Sequence, residues 1–236
     1  MSLRARIADR FLALVGLDFD FTPDLRRKAF SPITETLFVG CRPRPGDAVA
    51  LREAGVTHVV SCLPDAERAS VSFLSADFGC LYLPVRDSIH EDIASAFPAV
   101  FDFAAAAQRD DAQAKLLVHC EAGVSRSASV AIALLMQAEN ASFFDTFMRA
   151  RERRAEVLPN IGFASQLQHL EHTLRPESRK SGEPSSLARY LRQVCNVPLE
   201  VEALQEALER HHYDAPQAIR SVFGGDIPRV VQGVRV

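Results

Sequence analysis

The stretch from residue 116 to residue 130, LLVHCEAGVSRSASV, is the part of the chain that most restricts its fold. It opens with an apolar run that is typical of a buried strand, and it closes on a helical pattern. The short loop between them therefore turns the backbone straight from a strand into a helix. Such a turn gathers backbone N–H groups and a helix N-terminus around one point, and Gly123 allows the backbone to close tightly there. The sequence thus predicts a cradle for an anion.

Two side chains give this cradle its chemistry. Cys120 stands at the end of the strand, where the same positive field favours its thiolate form. Arg126 offers a planar guanidinium that can hold two phosphate oxygens at once. A nucleophile beneath a phosphate cradle with an arginine clamp predicts phosphoryl transfer through a cysteinyl-phosphate.

The same residues resemble a known signature. The segment fits the Cys-x5-Arg motif of the protein tyrosine phosphatase superfamily, in the His-Cys-x-Ala-Gly-x-Ser-Arg-Ser form that is typical of dual-specificity phosphatases. The resemblance extends over about residues 31–174. It implies a two-step reaction that uses neither a metal nor another cofactor. It also implies that backbone amides bind the phosphate, namely those of Glu121, Ala122, Gly123, Val124, Ser125 and Arg126.

The resemblance gives supporting roles to three further polar residues. Ser127 corresponds to the hydroxyl that assists departure of the thiolate when water attacks the phosphoenzyme. His119 corresponds to the residue whose ring holds the loop in shape. Asn160 either supports the loop through hydrogen bonds or simply caps the helix that follows it.

A carboxylic acid is needed as well, because the leaving oxygen must be protonated. In relatives this acid is an Asp on a mobile loop that precedes the cysteine. Asp87 follows a predicted strand at the matching position and is therefore the candidate general acid. Two neighbouring acids have simpler explanations: Ser88-x-x-Glu91 forms a helix capping box, and Asp92 would lie in the first turn of that helix.

Short apolar runs alternate with helical patterns along the body of the chain. This alternation predicts an α/β fold, with a central, mostly parallel sheet flanked by helices, which is also the dual-specificity phosphatase fold implied by the resemblance. Predicted strands span residues 36–39, 56–62, 80–85 and 115–119, and predicted helices span residues 47–54, 89–109, 126–138, 142–153 and 160–174. Pro98 lies inside the second helix, so that helix is kinked or restarts there.

A change in composition divides the chain into a body and a smaller C-terminal part. The dividing segment is polar, with Pro, Gly and Ser but no periodic apolar pattern, and is predicted to be a linker. The N-terminal extension carries the pattern of an amphipathic helix. The predicted parts are the extension at residues 1–30, the phosphatase domain at 31–174, the linker at 175–186, an all-α module at 187–225 and a tail at 226–236.

The all-α module at residues 187–225 shows three short amphipathic helical patterns and resembles ubiquitin-associated (UBA-like) domains. In that family the first loop is a main contact for ubiquitin. Here the usual loop residues are replaced by Cys195-Asn196-Val197-Pro198. Two classes of partner therefore stay open for this module: ubiquitin, or a helical partner reached through packing or self-association.

Composition and charge exclude several other classes of protein. The chain is 47% hydrophobic and 24% charged, as in ordinary globular proteins. A net charge of −3 gives no bulk attraction for nucleic acid, and no apolar run approaches the ~20 residues that span a membrane. Five cysteines without a CxxC pair or zinc spacing predict no metal and a reducing compartment. We therefore expect a cytoplasmic protein, with mitochondria and the nucleus as alternatives.

Cys62 ends the strand predicted at residues 56–62. If that strand runs parallel to residues 115–119, Cys62 lies on the side of the phosphate cradle. A thiolate at Cys120 is readily oxidised to a sulfenic acid, with which a nearby thiol can condense. Cys62 is thus a candidate redox partner of Cys120, and the alternative is that it is a small buried apolar residue.

The predicted activity is that of a protein phosphatase acting on phosphotyrosine and on phosphoserine or phosphothreonine. The variable loop positions carry Glu121 and no basic side chain, which disfavours polyanionic inositides. One alternative is a phosphatase for a glucan, a lipid or an RNA 5′-phosphate. Another is a phosphate-binding adaptor, which the intact Cys120, Arg126 and Asp87 disfavour. A basic run forms either a solvated helix face or a site for a second phosphate: Arg149, Arg151, Arg153 and Arg154.

Overall fold

The computed structural model of the chain describes residues 29–180 and 183–223. The amphipathic helix predicted within residues 1–30 and the tail at 226–236 lie outside the described residues. In the part of the chain that is described, no helix is long and apolar enough to cross a lipid bilayer.

Five strands in the described residues form one mixed sheet. They are β1 (Phe30–Pro32), β2 (Leu37–Gly40), β3 (Val56–Leu63), β4 (Gly79–Pro84) and β5 (Lys115–His119). Their order is β1-β2-β5-β3-β4, with β1 antiparallel to β2 and every other pair parallel. The predicted, mostly parallel sheet is confirmed, with β5 at its centre. The edge strand β1 is an addition to the prediction, because three residues that include a proline carry no alternating pattern.

Helices cover both faces of this sheet. The α-helices of the described residues are α1 (Asp47–Glu53), α2 (Phe97–Asp110), α3 (Arg126–Glu139), α4 (Phe143–Arg153), α5 (Ile161–Leu174), α6 (Ser186–Gln193), α7 (Val201–Arg210) and α8 (Ala215–Phe223). Single 3-10 segments run over Asp65–Ala76, Ala94–Ala96 and Pro176–Lys180. One face of the sheet packs on α1 and the first 3-10 segment, and the other packs on the larger layer that contains α2 to α5. Helix α3 follows β5 and is buried along most of its length, so the centre of the sheet and the centre of the helix layer meet there.

The helix predicted from residue 89 is wrong in its first part. Helix α2 begins only at Phe97, after a short 3-10 turn, with Pro98 in its first turn. Proline fits a helix start, because it lacks the N–H that would have no helical acceptor there. Ser88 does not form the predicted capping box: its Oγ accepts a hydrogen bond from the N–H of His90. Residues 85–93 therefore form a loop with a turn at residues 89–90 rather than a helix.

The three C-terminal helices exist as predicted. Helix α6 packs on α4 and α5, α8 packs on α5, and α7 packs on α6 and α8. The ring of Tyr190 in α6 is fully buried and lies 5.3 Å from the ring of Phe143 and 5.0 Å from that of Phe147 in α4. Apolar residues of all three helices belong to the same core as the sheet's larger helix layer, among them Leu187, Leu191, Leu204, Leu208 and Ile219. The core of the body therefore continues into the C-terminal helices.

Backbone N–H groups of the C-terminal helices are also bound by side chains of α5. The N–H of Leu187, in the first turn of α6, donates to Oε1 of Gln168 at 2.7 Å. The N–H of Ala215, at the start of α8, donates to Oγ of Ser165 at 2.9 Å. The first N–H groups of a helix have no acceptor within the helix. Side chains of α5 provide that acceptor for both α6 and α8, and so fix the starts of these two helices on α5.

Replacing Leu187 with Ala tests whether the body and the C-terminal helices unfold together. Leu187 is fully buried in the shared core, so we expect its truncation to lower the free energy of unfolding by about 2–4 kcal/mol. Urea unfolding followed by circular dichroism measures this loss, and hydrogen exchange of the α3 amides shows whether the body opens in the same transition.

Val49→Ala is the matched control, because Val49 is 52% exposed and should change stability by less than about 0.5 kcal/mol. A separate early transition confined to α6–α8, with the α3 amides unaffected by Leu187→Ala, would contradict a shared core.

Candidate active site

The loop between β5 and α3 is wrapped around the sulfur of Cys120. Cys120 directly follows β5 and is buried, with 1% of its surface exposed. Its Sγ accepts hydrogen bonds from the backbone N–H of Gly123 and from Oγ of Ser127, each at 3.2 Å. Two donors aimed at one sulfur stabilise its anionic form, so the arrangement suits a thiolate nucleophile.

Gly123 is required by the shape of this loop. Its φ is +68°, which side-chain-bearing residues rarely adopt. A Cβ at this position would also lie 2.6 Å from the backbone carbon and oxygen of Gly40, at the end of β2. The loop therefore closes against the backbone of β2 only because residue 123 has no side chain.

Asp87 lies beside Arg126 beyond the carboxyl ends of the strands. Oδ2 of Asp87 is 3.8 Å from Nε of Arg126, the first residue of α3. The guanidinium is buried and also donates through Nη1 to the carbonyl of Val85 at 3.4 Å. The side chain of Asp87 is 33% exposed, so its carboxyl group borders both the buried arginine and the solvent.

The carboxyl group of Asp87 is held by two neutral donors. Its Oδ1 accepts from Oγ of Ser125 at 2.7 Å and from Nδ2 of Asn160 at 2.9 Å. Ser125 belongs to the phosphate-cradle loop, and Asn160 directly precedes α5. The candidate acid is therefore tied to the loop that holds the candidate nucleophile.

Asn160 both caps helix α5 and supports the phosphate loop, the two roles that the sequence left as alternatives. Its Oδ1 accepts from the N–H of Phe163 at 3.0 Å, so it caps α5. Its backbone N–H donates to Oγ of Ser125 at 3.1 Å, while its Nδ2 binds Asp87. Capping and loop support are thus carried by different atoms of one residue.

His119 is the last residue of β5 and is fully buried beside β3. Its Nε2 shares a hydrogen bond of 2.7 Å with Oγ of Ser61 on β3. Burial lowers the pKa of His119 to about 4, and the nearby charges of Arg42 and Arg126 act in the same direction. The ring is therefore neutral above that pH and joins the two central strands directly below the loop.

Arg154 is a site residue that the sequence did not single out from its basic run. It is 2% exposed. Its guanidinium donates to the carbonyls of Gly123 at 3.0 Å and Ala122 at 3.4 Å, and to Oγ of Ser31 at 3.3 Å. The carbonyl of Ala122 and the N–H that Gly123 points at Cys120 belong to one peptide unit, so the buried cation strengthens that N–H as a donor.

Within the described residues, the other arginines of the basic run are not bound to the phosphate loop as Arg154 is. Arg149 forms an ion pair with Glu139, and the guanidinium of Arg151 lies 5.8 Å from the centre of the Phe147 ring. The run therefore contains one buried support of the loop together with residues engaged on the helix surface.

The outer rim of the loop carries a second residue missed in the sequence, Arg42. Its backbone N–H donates to the carbonyl of Glu121 at 3.2 Å. Its guanidinium pairs with the carboxylates of Glu121 and Glu67, each at 2.9 Å. The acid at the variable loop position is thus neutralised by a neighbouring cation, and Arg42 links the loop to the 3-10 segment after β3.

Cys62 is fully buried on β3, next to the reactive loop. Ser61 pairs with His119 across the two parallel strands, so Cys62 stands one residue further, level with Cys120. Burial raises the pKa of the Cys62 thiol well above its usual range, and the proximity of Cys120 adds to this. Cys62 is therefore protonated in the folded chain, and Cys120 is its neighbour across the sheet.

The loop that follows Asp87 is clamped by α5. Gln166 accepts from the N–H of Ala94 through Oε1 and donates through Nε2 to the carbonyl of Glu91, both at 2.8 Å. A Cβ on Gly162 would lie 2.1 Å from the carbonyl oxygen of Ile89, so glycine permits this close approach. The bidentate clamp replaces the helical hydrogen bonds that were predicted for these residues.

The site contains a nucleophile, an anion cradle, a buried guanidinium and an anchored carboxyl group within one surface. No group of three or more His, Cys, Asp or Glu side chains that could hold a metal occurs among residues 29–180 and 183–223.

Comparison with known proteins agrees with this geometry. Residues 37–173 match the family described as "Dual specificity phosphatase, catalytic domain". Among curated proteins, the chain is 36% identical over 147 residues to dual specificity protein phosphatase Mpk3 of Drosophila melanogaster, and 35% identical over 148 residues to dual specificity protein phosphatase 19 of Mus musculus. These alignments cover 61% and 63% of the chain, and 35% and 63% of the relatives' own lengths.

Solved structures give the same similarity. Human tyrosine phosphatase-like serine/threonine/tyrosine-interacting protein superposes with a TM-score of 0.59 at 30% identity, covering 62% of the chain and 98% of that protein's chain. Human DUSP28 superposes with a TM-score of 0.57 at 29% identity, covering 63% and 97% respectively.

Proposed function

The chain belongs to the dual-specificity phosphatase family, and from that premise we propose that it dephosphorylates phosphotyrosine and phosphoserine or phosphothreonine in proteins. The observation that carries this proposal is the placement of Cys120 Sγ beneath two hydrogen-bond donors, with Arg126 and Asp87 beside the same loop. A protein without a catalytic role would not need to bring a buried cysteine, a buried arginine and an anchored carboxyl group together at one point.

In the first step, Sγ of Cys120 attacks the phosphorus atom and the bond to the leaving oxygen breaks. Arg126 and the inward N–H groups of the loop hold the phosphoryl oxygens as charge develops on them. Asp87, in its protonated form, gives its proton to the leaving oxygen. The products of this step are the free hydroxyl compound and a cysteinyl-phosphate.

In the second step, water attacks the phosphorus atom and the S–P bond breaks. The carboxylate of Asp87, formed in the first step, now accepts a proton from that water. Ser127 already donates to Sγ at 3.2 Å, so its hydroxyl stabilises the departing thiolate. Inorganic phosphate leaves, and the enzyme returns to its starting state.

The charge of the rim supports a protein substrate. Among the residues that the structure describes, Arg42 pairs with both Glu121 and Glu67, so this part of the rim carries no excess of positive charge. A polyanionic inositide, glucan phosphate or RNA 5′-phosphate would meet two carboxylates and a single shared cation there. A substrate panel that sets phosphopeptides against these phosphates measures the preference directly.

Replacing Cys120 with Ser tests the mechanism. We expect the protein to hydrolyse 4-nitrophenyl phosphate in the presence of EDTA, and we expect Cys120→Ser to lose the activity, because a serine hydroxyl is not ionised at neutral pH. Cys80→Ser is the matched control, since Cys80 is exposed on β4 and should leave the rate unchanged. Activity that needs added metal, or that survives Cys120→Ser, would overturn the proposed mechanism.

Replacing Asp87 with Asn tests the general acid. Turnover of a phosphotyrosine peptide should fall by about 10²-fold or more, with a smaller loss for aryl phosphates whose leaving group needs little protonation. The basic limb of the pH profile of kcat/KM should flatten, because that limb reports the acid. Asp92→Asn is the control, since Oδ1 of Asp92 accepts from the N–H of Ser95 in the 3-10 turn. If Asp92→Asn flattens the limb and Asp87→Asn does not, the acid is wrongly assigned.

We propose that Cys62 protects the nucleophile from irreversible oxidation. Hydrogen peroxide oxidises the Cys120 thiolate to a sulfenic acid. The Cys62 sulfur then forms an S–S bond to Cys120, and the sulfenic hydroxyl leaves as water with the thiol proton. We expect a Cys62–Cys120 peptide in non-reducing mass mapping and recovery of activity with dithiothreitol. Equal recovery of wild type and Cys62→Ser after the same treatment would contradict this role.

We further propose that the helical partner of residues 187–225 is the catalytic body of the same chain, with ubiquitin as the alternative partner of a UBA-like module. The apolar faces of α6, α7 and α8 are buried in the shared core. Cys195 and Val197, which stand where UBA-like domains contact ubiquitin, are buried as well. A ubiquitin complex would require this loop to leave the core.

A cytoplasmic location is proposed from the state of the thiols. All five cysteines are free, as is usual in a reducing compartment. Mitochondria and the nucleus are alternatives, and fractionation of cells with an antibody to the chain distinguishes them.

A further inference from the structure

We propose that Tyr190, in the C-terminal helix α6, is a positioning residue for the general acid Asp87 and acts through the peptide unit between Pro159 and Asn160. The proposal rests on the assignment of Asp87 as the acid. It gives the C-terminal helices a role in the chemical step that nothing in the catalytic motif indicates.

The contact that carries the inference is a buried hydrogen bond from α6 to the residue before Asn160. Oη of Tyr190 donates to the carbonyl of Pro159 at 2.5 Å. That carbonyl and the N–H of Asn160 belong to one peptide unit. The same N–H donates to Oγ of Ser125 at 3.1 Å, and Ser125 donates onward to Oδ1 of Asp87 at 2.7 Å.

These contacts form one continuous chain of donors and acceptors from α6 to the acid. Each bond polarises the next, because a peptide whose carbonyl accepts a hydrogen bond has a stronger N–H donor. The orientation of the Asn160 peptide also places the Asn160 side chain, whose Nδ2 donates to the same Oδ1 of Asp87. Tyr190 therefore acts on both donors that hold the carboxyl group.

Holding Oδ1 has a consequence for the proton. Oδ1 already accepts two hydrogen bonds, so the acidic proton is placed on Oδ2. A carboxylic acid that delivers its proton from a defined oxygen needs its side chain fixed in one orientation. The side chain of Asp87 is 33% exposed, so its own burial does not provide that orientation.

Tyr190 is well suited to hold this position. Its ring is fully buried against Phe143 and Phe147. Burial raises the pKa of its hydroxyl well above the usual range, so the hydroxyl stays protonated and remains a donor over the working pH range. A rigid aromatic ring with an obligatory donor fixes the carbonyl of Pro159 at one point.

Tyr190→Phe removes only the hydroxyl and keeps the ring in the core. Tyr213→Phe is the matched control, because the Tyr213 hydroxyl accepts from Gln205 within the C-terminal helices and has no link to the acid. Both variants are compared with the full-length wild type by thermal unfolding and by kcat and KM on a series of aryl phosphates with leaving groups of increasing basicity.

We expect Tyr190→Phe to lower kcat by about 10-fold for phenyl phosphate and for a phosphotyrosine peptide, which is part of the ~10²–10⁴-fold that general acids supply. The loss for 4-nitrophenyl phosphate should be smaller, and KM should stay within about twofold because the phosphate loop is unchanged. The dependence of log kcat on leaving-group basicity should therefore steepen. Tyr213→Phe should keep the wild-type slope.

A double variant separates positioning from general weakening of the fold. If Tyr190 acts through the acid, Tyr190→Phe should add little to the loss in Asp87→Asn. Equal slowing of all substrates by Tyr190→Phe, an unchanged slope, or full additivity with Asp87→Asn would overturn the proposal. Failure of the acid assignment itself is distinct: Asp87→Asn would then leave the slope unchanged.

Discussion

The site depends on hydrogen bonds to the outward-facing backbone carbonyls of the phosphate loop. When a loop turns its N–H groups toward one anion, its carbonyls point away, and each needs a donor because they are largely buried. Every one of these carbonyls has such a donor: Arg42 for Glu121, Arg154 for Ala122 and Gly123, Leu158 for Val124, and Ser129 for Ser125. The donors come from the segment after β2, the residue that follows α4, the loop before α5, and α3. The conformation that surrounds Cys120 therefore depends on segments that are far apart in the sequence.

This dependence explains which parts of the site the sequence predicts. The strand, loop and helix around Cys120 are local, and their residue types alone indicate an anion cradle. Arg42 and Arg154 are remote in sequence from the loop that they support. The sequence around each can be explained without a role in the site: Arg42 follows a strand, and Arg154 belongs to a basic run that is typical of a solvated helix face. Their role follows from the side-by-side placement of β2, β5 and α4, which no local pattern encodes.

The same distinction explains the error before α2. Ser88 and Glu91 carry a local capping signal, and the apolar positions after them fit a helix. The competing bonds come from α5, where Gln166 binds the backbone at Glu91 and Ala94. Two tertiary hydrogen bonds and the helix-starting preference of Pro98 outweigh the local propensity, which is weak by comparison. The loop that results is the one that places Asp87.

The C-terminal helices show a further limit of pattern reasoning. An amphipathic pattern predicts that one face of a helix is buried, and it does not identify the surface that buries it. The polar linker composition favours an independent module, whereas the aromatic face of α4 and the polar side chains of α5 provide the docking surface. Three helices are therefore predictable, and their packing on the body is a property of the folded chain.

Helix α5 connects these features, because it begins directly after Asn160, which binds the acid, and ends at the segment that leads to α6. Its cap residue Asn160 holds Asp87, its Gln166 clamps the loop after the acid, and its Ser165 binds α8. The nucleophile is supported from a different side, by Arg154 and by the backbone of β2. In the proposed coupling, a change in α6 reaches proton transfer through Tyr190 and the peptide unit between Pro159 and Asn160, while the thiolate and its phosphate cradle keep their own supports.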